Sequence, residues 1–213
     1  FDQATQFLDY MDQQAQTHQT NIITGIPYRD YDQETKTTKL YNSIYSFGAG
    51  EGINHKQKLV PFGEYVPMQD LLRGLIAFFD MPMSDFRKGP REQTLLGSHD
   101  LNVAPFICYE IVYPDFVAAR ATKADYLLTV SNDSWFGSSI GPLQHLEMAQ
   151  MRAAENGRYM IRATNNGISA IIDQKGTIIA ETEQFVETSL HASIEVFKGQ
   201  TPYSYYRSTP IFM

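Results

Sequence analysis

The sequence contains a single cysteine, Cys108, among its 213 residues. One cysteine can form neither an internal disulfide nor a thiolate metal cluster, so cysteine usage leaves the redox compartment undetermined. Long apolar runs are also missing: none approaches the roughly 18 to 20 residues needed to cross a bilayer. None of the segments present has the pattern of a secretory signal.

Positive charge is scarce as well. The chain has 17 Lys and Arg against 24 Asp and Glu, a net charge of −7, and no basic run. Phosphate binding needs clustered Lys and Arg, so we expect no nucleic-acid partner. The 43% hydrophobic and 13% aromatic composition is typical of a globular protein with a sizeable core. With no internal repeat and no linker-like stretch, we expect a single domain over residues 1–213.

The first third of the chain predicts a helix followed by two strands. Apolar residues at helical spacing favour an amphipathic helix that ends near His18. "NIITGIP" is typical of a buried strand, and "TKLYNSIYSFG" of a second strand. The polar segment from Asp30 to Thr38 is predicted to be an exposed turn. From Leu71 to Gly89 we expect a short helix and then an irregular excursion.

The second half alternates regularly between strands and helices. We expect strands in "NVAPFICYE", "DYLLTVSND" and "RYMIRATNNG", and helices in "YPDFVAARATKA" and "GPLQHLEMAQMRAAENG". "ISAIIDQKGTIIAETE" predicts a hairpin with its turn at Asp173 to Gly176. This alternation predicts an α/β domain, with a site in the polar connections that follow the strands.

Cys108 permits two interpretations. Free cysteine is among the most buried residue types and usually behaves as an inert small apolar group. However, Cys108 lies where a predicted strand ends, and the polar Tyr109 and Glu110 follow it at once. A thiol with an ordinary pKa near 8.5 needs a neighbouring cation or base to react at neutral pH, and the sequence must supply one for Cys108 to be a nucleophile.

The stretch "INHKQKLVPFGEYVP" offers charged partners. Two prolines and a glycine make a stiff scaffold around Glu64, which favours a preorganised site over a solvated turn. A lysine held against this carboxylate would stay charged, stabilise a thiolate and later stabilise an oxyanion. Lys56 and Lys58 are both close to Glu64 in sequence.

The loop "SNDSWFG" places small polar groups, Asn132 among them, and the only tryptophan, Trp135, at the end of a predicted strand. It is typical of a loop that builds a site. His145 follows on a helix, where a lone histidine is more often structural, and no second histidine lies at metal-ligand spacing. A Cys/His pairing has no independent support in the sequence. We interpret Glu147 and Glu155 as helix-surface charges or packing partners.

Five strings occur in order: "HKQKLVPFGEYVP", "ICYE", "SNDSWFG", "IGPLQHLEMAQMRAAENGR" and "RATNNGISAIID". Together they resemble the nitrilase-like domain of the apolipoprotein N-acyltransferase family. The resemblance runs from about Asn21 to Tyr206. It implies a nitrilase-type αββα sandwich with a Glu-Lys-Cys triad, and no metal or organic cofactor.

Matched by motif, the resemblance implies a role for each site residue. Cys108 would be the nucleophile and Lys56 the triad lysine, with Lys58 a bystander. Glu64 would support the lysine. Tyr109 and Glu110 match a functionally important pair after the cysteine. The remaining matched residue, Asn42 in "LYNS", is implied to lie close to the site.

One part of the family pattern is not matched. The general-base glutamate of the family belongs to a "WPE"-like strand before the first helix, so we expect it outside this chain. The family's membrane helices are also expected outside it, with this domain excised from a longer protein. The implied location is the bacterial inner membrane, with the catalytic domain facing the periplasm.

The resemblance implies transfer of an acyl chain from a phospholipid, through a cysteine thioester, to the N-terminal amine of a diacylglyceryl apolipoprotein. Two other functions remain open: a soluble carbon-nitrogen hydrolase that passes the acyl group to water, and a non-catalytic module that binds lipoproteins. The apolar segment "LLRGLIAFFDMPM", with Leu72, Ile76 and Phe79, is expected to shield the thioester, to dip into lipid, or simply to form a covering helix.

Overall fold

The computed structural model describes residues 2–34, 36–61, 63–65 and 86–209. The segment with Leu72, Ile76 and Phe79 lies outside the described residues. The helices are α1 (Asp2–Thr17), α2 (Pro114–Ala121), α3 (Gly141–Asn156) and α4 (Pro202–Tyr206). The strands are β1 (Asn21–Asp32), β2 (Thr37–Gly48), β3 (Gly50–Glu51), β4 (Ile53–His55), β5 (Leu96–Ser98), β6 (Leu101–Ile107), β7 (Tyr126–Asn132), β8 (Met160–Asn165), β9 (Ala170–Ile172) and β10 (Ile178–Glu181).

The described residues form two sheets. The small sheet has the order β1-β2-β4 and is antiparallel, with β1 and β2 paired from Asn21↔Gly48 to Asp32↔Thr37. The large sheet has the order β10-β9-β8-β7-β6-β5-β3. Its centre, β6-β7-β8, is parallel, and its flanks are antiparallel. The parallel centre brings the carboxyl ends of three strands to one edge, where a site can be built from several loops.

The large sheet buries both faces. Along β6, Val103 and Ile107 pack toward the small sheet with Ile44 of β2, whereas Ala104 and Phe106 pack with the helices. The helix side of this core includes residues of α2 and α3: Val117, Ala118, Ala121, Leu146, Ala149 and Ala153. This alternation is the period of two that a strand imposes on its side chains.

Helix α1 covers the outer face of the small sheet. Ala15 of α1 is buried, and the Asp12 carboxylate accepts a hydrogen bond of 2.8 Å from the Gly48 amide at the end of β2. The layers therefore run helix, small sheet, large sheet, helices, which confirms the predicted αββα sandwich. The first helix, the α/β alternation and the Asp173–Gly176 hairpin turn are confirmed too.

Three predictions about local structure were wrong in detail. The strand predicted for "NVAPFICYE" ends at Ile107, and a 3₁₀ helix, Cys108–Val112, begins at the cysteine. The predicted turn from Asp30 to Thr38 is shorter, because cross-strand pairing continues to Asp32 and resumes at Thr37. β1 is only partly buried, because it is the edge strand of the small sheet.

Candidate active site

Cys108 lies at the end of β6, on the first residue of the 3₁₀ helix. Its φ angle is 51°, in the left-handed region that residues other than glycine rarely adopt. Such a conformation costs about 1–3 kcal/mol and persists only where the surroundings hold it. The extended backbone of β6 therefore ends at the cysteine, and the partly buried side chain lines a cavity.

Lys56 comes from the other sheet, directly after β4. Its side chain is 1% exposed, and its Nζ donates to Glu64 Oε2 over 2.6 Å. The Lys56 amide donates to the carbonyl of Asn42 over 2.8 Å, which fixes the backbone beside β2. Burial of an ammonium is costly unless it is paired, and here the pairing is short and direct.

The Glu64 carboxylate is held by three donors. Oε2 accepts from Lys56 and from the Val60 amide at 2.9 Å, and Oε1 accepts from the Asn42 side chain at 2.9 Å. These three donors fix the carboxylate in one orientation. The arrangement suits support of the lysine and leaves Glu64 poorly placed to accept a proton from the thiol.

Glu110 ties the two halves of the site together. Its Oε1 accepts from the Gln57 and Lys58 amides at 2.7 and 3.0 Å, and its Oε2 accepts from the Ile107 amide at 2.9 Å. Burial raises the pKa of Glu110, and these three backbone hydrogen bonds and the charge of Lys56 oppose the rise only in part. One buried carboxyl group thus fixes the loop after β4 to the end of β6.

A cavity of about 750 Å³ lies between the sheets at the carboxyl ends of the central strands. It brings together all but one of the expected site residues: Asn42, Lys56, Glu64, Cys108, Tyr109, Asn132 and Trp135. The exception is Glu110, which lies behind them. Lys58 points elsewhere, with its Nζ 5.4 Å from the centre of the Tyr113 ring. Its ammonium also lies 5.7 Å from the centre of the Phe116 ring.

The loop after β7 forms one rim of this cavity. The Asn132 side chain accepts from the Ser134 amide at 3.1 Å and so caps a short 3₁₀ helix, Asp133–Phe136. Trp135 is 60% exposed. A large exposed aromatic side chain at a cavity mouth offers apolar contact to whatever enters.

The sequence interpretation missed a buried polar cluster behind Cys108. Arg162 of β8 donates to Asp133 over 2.6 Å, with both side chains 0% exposed. Ser131 donates to Asp133 over 2.6 Å, and His145 of α3 lies against both Arg162 and Asp133. Burial acts to raise the pKa of Asp133, but the contacts with His145, Ser131 and Arg162 lower it overall. An arginine inside the apolar strand "MIRAT" was the available signal, because a buried strand position tolerates a charge only when it is paired.

Three polar residues of α3, His145, Glu147 and Glu155, differ in their surroundings. His145 Nε2 lies 3.1 Å from the carbonyl oxygen of Cys108, so this nitrogen is engaged with the backbone. Glu147 is exposed, whereas Glu155 accepts two hydrogen bonds from Arg152, as a packing partner does.

The described ranges contain neither a candidate membrane helix nor a candidate metal site. No helix there combines the length and the apolar character needed to span a bilayer. No group of three or more His, Cys, Asp or Glu side chains in those ranges is arranged to hold a metal ion.

His55, next to Lys56, makes stability depend on pH. Its Nδ1 lies 2.7 Å from the Ser43 hydroxyl, and its ring stacks on Tyr41 at 4.5 Å. Burial lowers the pKa of His55 below its ordinary value of 6.5, although the charge of Asp30 opposes the shift. The unfolded chain therefore binds the proton more tightly, so this contribution to stability is complete above about pH 6.5 and is lost as the pH falls below it.

We expect the urea concentration at the midpoint of unfolding to decrease as the pH is lowered from 7.5 to 5.5. In a His55→Gln variant this decrease should be smaller. Glutamine keeps a polar side chain but does not titrate. Equal slopes for the two proteins would show that His55 does not carry the effect.

The chain is similar to known proteins in sequence. Residues 1–200 match the family model described as Carbon-nitrogen hydrolase. An apolipoprotein N-acyltransferase of Pseudomonas aeruginosa (strain LESB58) is 54% identical over 210 residues, which are 99% of this chain and 41% of that protein. The chain thus spans less than half the length of this curated relative.

Solved structures agree on the fold. A carbon-nitrogen hydrolase from Helicobacter pylori G27 has a TM-score of 0.64 at 14% identity, covering 86% of this chain and 65% of that one. A mutant amidase from Nesterenkonia sp. AN1, with an acetamide moiety covalently added at its active site cysteine, has a TM-score of 0.56 at 16% identity. It covers 81% of this chain and 60% of that one.

Proposed function

Because the chain belongs to the carbon-nitrogen hydrolase family, we propose that it is the catalytic domain of an N-acyltransferase that works through a thioester on Cys108. The observation that carries the proposal is the cavity of about 750 Å³ in which Cys108 meets the buried Lys56–Glu64 pair. A nucleophile, a cation and a sizeable cavity are the components that acyl transfer requires.

In the first half-reaction the Cys108 thiolate attacks the ester carbonyl of a phospholipid. A carbon–sulfur bond forms, and the carbonyl oxygen becomes an oxyanion, stabilised by the Lys56 ammonium and the Tyr109 N–H. Collapse breaks the ester C–O bond, and the lysophospholipid leaves as an alcohol after taking a proton. We do not assign Glu64 as the base that removes the thiol proton, since it is occupied by its three donors.

In the second half-reaction the amine of a diacylglyceryl-cysteine attacks the thioester, and formation of the amide regenerates the thiol. The thioester must be shielded from water until the amine arrives. A cavity lined by Ile26, Pro27, Val130 and Phe136 supplies apolar surroundings suited to an acyl chain. An acyl chain in this cavity would keep its carbonyl beside Lys56.

The proposal favours transfer to an amine over transfer to water because the relative at 54% identity is named for N-acyl transfer. It includes the partners and place that go with this activity: a phospholipid donor, an apolipoprotein acceptor, and a bacterial inner membrane with this domain on the periplasmic side. Contact with the membrane would involve segments outside this sequence.

The proposal is tested with the full-length gene product and a defined phospholipid, followed by intact-protein mass spectrometry. We expect an added acyl mass that is absent from a Cys108→Ala variant and is discharged by a diacylglyceryl-cysteine peptide. Hydrolysis of small amides without an acyl adduct would assign the protein to the hydrolases instead. Failure of both reactions would favour a non-catalytic binding module.

A further inference from the structure

The buried cluster behind Cys108 contacts the nucleophile through its backbone. His145 Nε2 lies 3.1 Å from the Cys108 carbonyl oxygen, and Arg162 Nη1 lies 3.2 Å from His145 Nδ1. Arg162 is itself fixed by Asp133 at 2.6 Å and by the Ile168 carbonyl at 3.1 Å. A connected path of hydrogen bonds thus runs from a buried ion pair to the peptide that follows the cysteine.

The chemistry of its partners sets the direction of the hydrogen bond between His145 and Cys108. A carbonyl oxygen can only accept, so Nε2 must donate to Cys108. On the other side of the ring, Nδ1 lies 3.2 Å from the Arg162 donor and 3.4 Å from the Asp133 carboxylate. Asp133 also accepts from the Ser131 hydroxyl at 2.6 Å and from Arg162. The donor of His145 that faces the nucleophile is therefore Nε2, held in place by the contacts at Nδ1.

The Cys108 carbonyl belongs to the same peptide unit as the Tyr109 N–H. A trans peptide is planar, and its C=O and N–H point in opposite directions. A carbonyl fixed toward the buried His145 consequently directs the N–H away from the helix layer. That N–H also precedes the first hydrogen bond of the 3₁₀ helix, so no carbonyl within that helix accepts it.

We propose that His145 is a positioning residue that orients and polarises the Cys108–Tyr109 peptide so that its N–H stabilises the oxyanion. This inference rests on the proposed acyl-transfer function. Two effects support the role. The hydrogen bond fixes a peptide whose first residue is held at φ 51°, and donation to a carbonyl strengthens the N–H of the same unit. The ion pair between Arg162 and Asp133 holds the other end of the path in place, with both side chains 0% exposed.

Two amide variants separate this role from a structural one. Glutamine places its NH₂ near the position of Nε2, whereas asparagine is one methylene shorter and reaches only the position of Nδ1. We expect His145→Gln to retain most of the activity. His145→Asn should slow acylation of Cys108 about 10-fold or more, yet less than the roughly 10²- to 10³-fold lost when an oxyanion donor is removed outright.

The full-length protein is assayed with two small reagents. p-Nitrophenyl acetate transfers its acetyl group to sulfur through an oxyanion and releases p-nitrophenolate, which is followed in a single turnover. Iodoacetamide alkylates the same sulfur by displacing iodide and forms no oxyanion. We expect His145→Asn to slow acylation about 10-fold or more while its alkylation rate stays within about twofold of the parent, since only the first reaction uses the oxyanion site.

Equal losses of acylation and alkylation in His145→Asn would overturn the inference, because they would show that His145 only places the sulfur. Unchanged acylation in His145→Asn, or equal loss in His145→Gln, would overturn it too. Because p-nitrophenyl acetate replaces the phospholipid, acylation by this ester without acylation by lipid would reject the proposed donor and leave the role of His145 supported. A parent protein that neither ester acylates would overturn both proposals.

Discussion

Replacing Lys56 with methionine is expected to slow acylation of Cys108 by at least about 10²- to 10³-fold, the effect of removing one oxyanion donor. Methionine fills a similar volume without charge, so the cavity keeps its shape. Single-turnover release of p-nitrophenolate measures this rate.

The same substitution should destabilise the protein, because it leaves the Glu64 carboxylate buried without its cation. Breaking one partner of a buried pair costs about 3–5 kcal/mol. A Lys56→Met/Glu64→Gln double variant removes both charges and is expected to regain most of this stability in urea unfolding while remaining inactive. Recovery of acylation in the double variant would contradict a direct role for Lys56.

Glu110→Gln is expected to lose stability and activity together. The new side-chain amide has one acceptor oxygen and one NH₂ donor. The NH₂ group would therefore face either the N–H of Ile107 or the N–H groups of Gln57 and Lys58, none of which can accept a hydrogen bond. A buried donor left without an acceptor costs about 1–3 kcal/mol. Since the loop after β4 would lose its fixed position, the rate of acylation should also fall by about 10-fold or more, because displaced catalytic groups lower the rate. Urea unfolding and nitrophenolate release measure the two effects.

Glu147→Gln is the matched control for this prediction. It makes the same chemical change on an exposed position of α3, where we expect stability to change by less than about 0.5 kcal/mol and acylation to be unchanged. If Glu110→Gln behaved like Glu147→Gln, the connection between the two halves of the site would have no energetic weight.

Local sequence patterns were sufficient for most of the architecture. Helical spacing identified α1, and turn residues identified the hairpin at Asp173–Gly176, because these features depend on near neighbours in the chain. Lys56, Glu64 and Cys108, which the motifs had assigned to one site, line the same cavity. Lys56 follows a strand of the small sheet, whereas Cys108 follows a strand of the large sheet. Their chemical roles remain predictions.

Most of what the sequence did not reveal depends on contacts between distant residues, with one local exception. β6 ends at Ile107, whose amide donates to the carboxylate of Glu110 three residues on, and a 3₁₀ helix begins where an apolar run had favoured a strand. His145 looked structural because its partners, Arg162 and the Cys108 carbonyl, lie 17 and 37 residues away. Local periodicity carries no information about such pairs.

The left-handed backbone at Cys108 separates what is best for the fold from what is best for the chemistry. Native proteins of this size have a net stability of only about 5–15 kcal/mol, and a strained residue consumes about 1–3 kcal/mol of it. Glycine would adopt the same conformation without strain but has no sulfur. Selection for stability alone would therefore drive this position away from cysteine, and its presence there is a trade-off between stability and function.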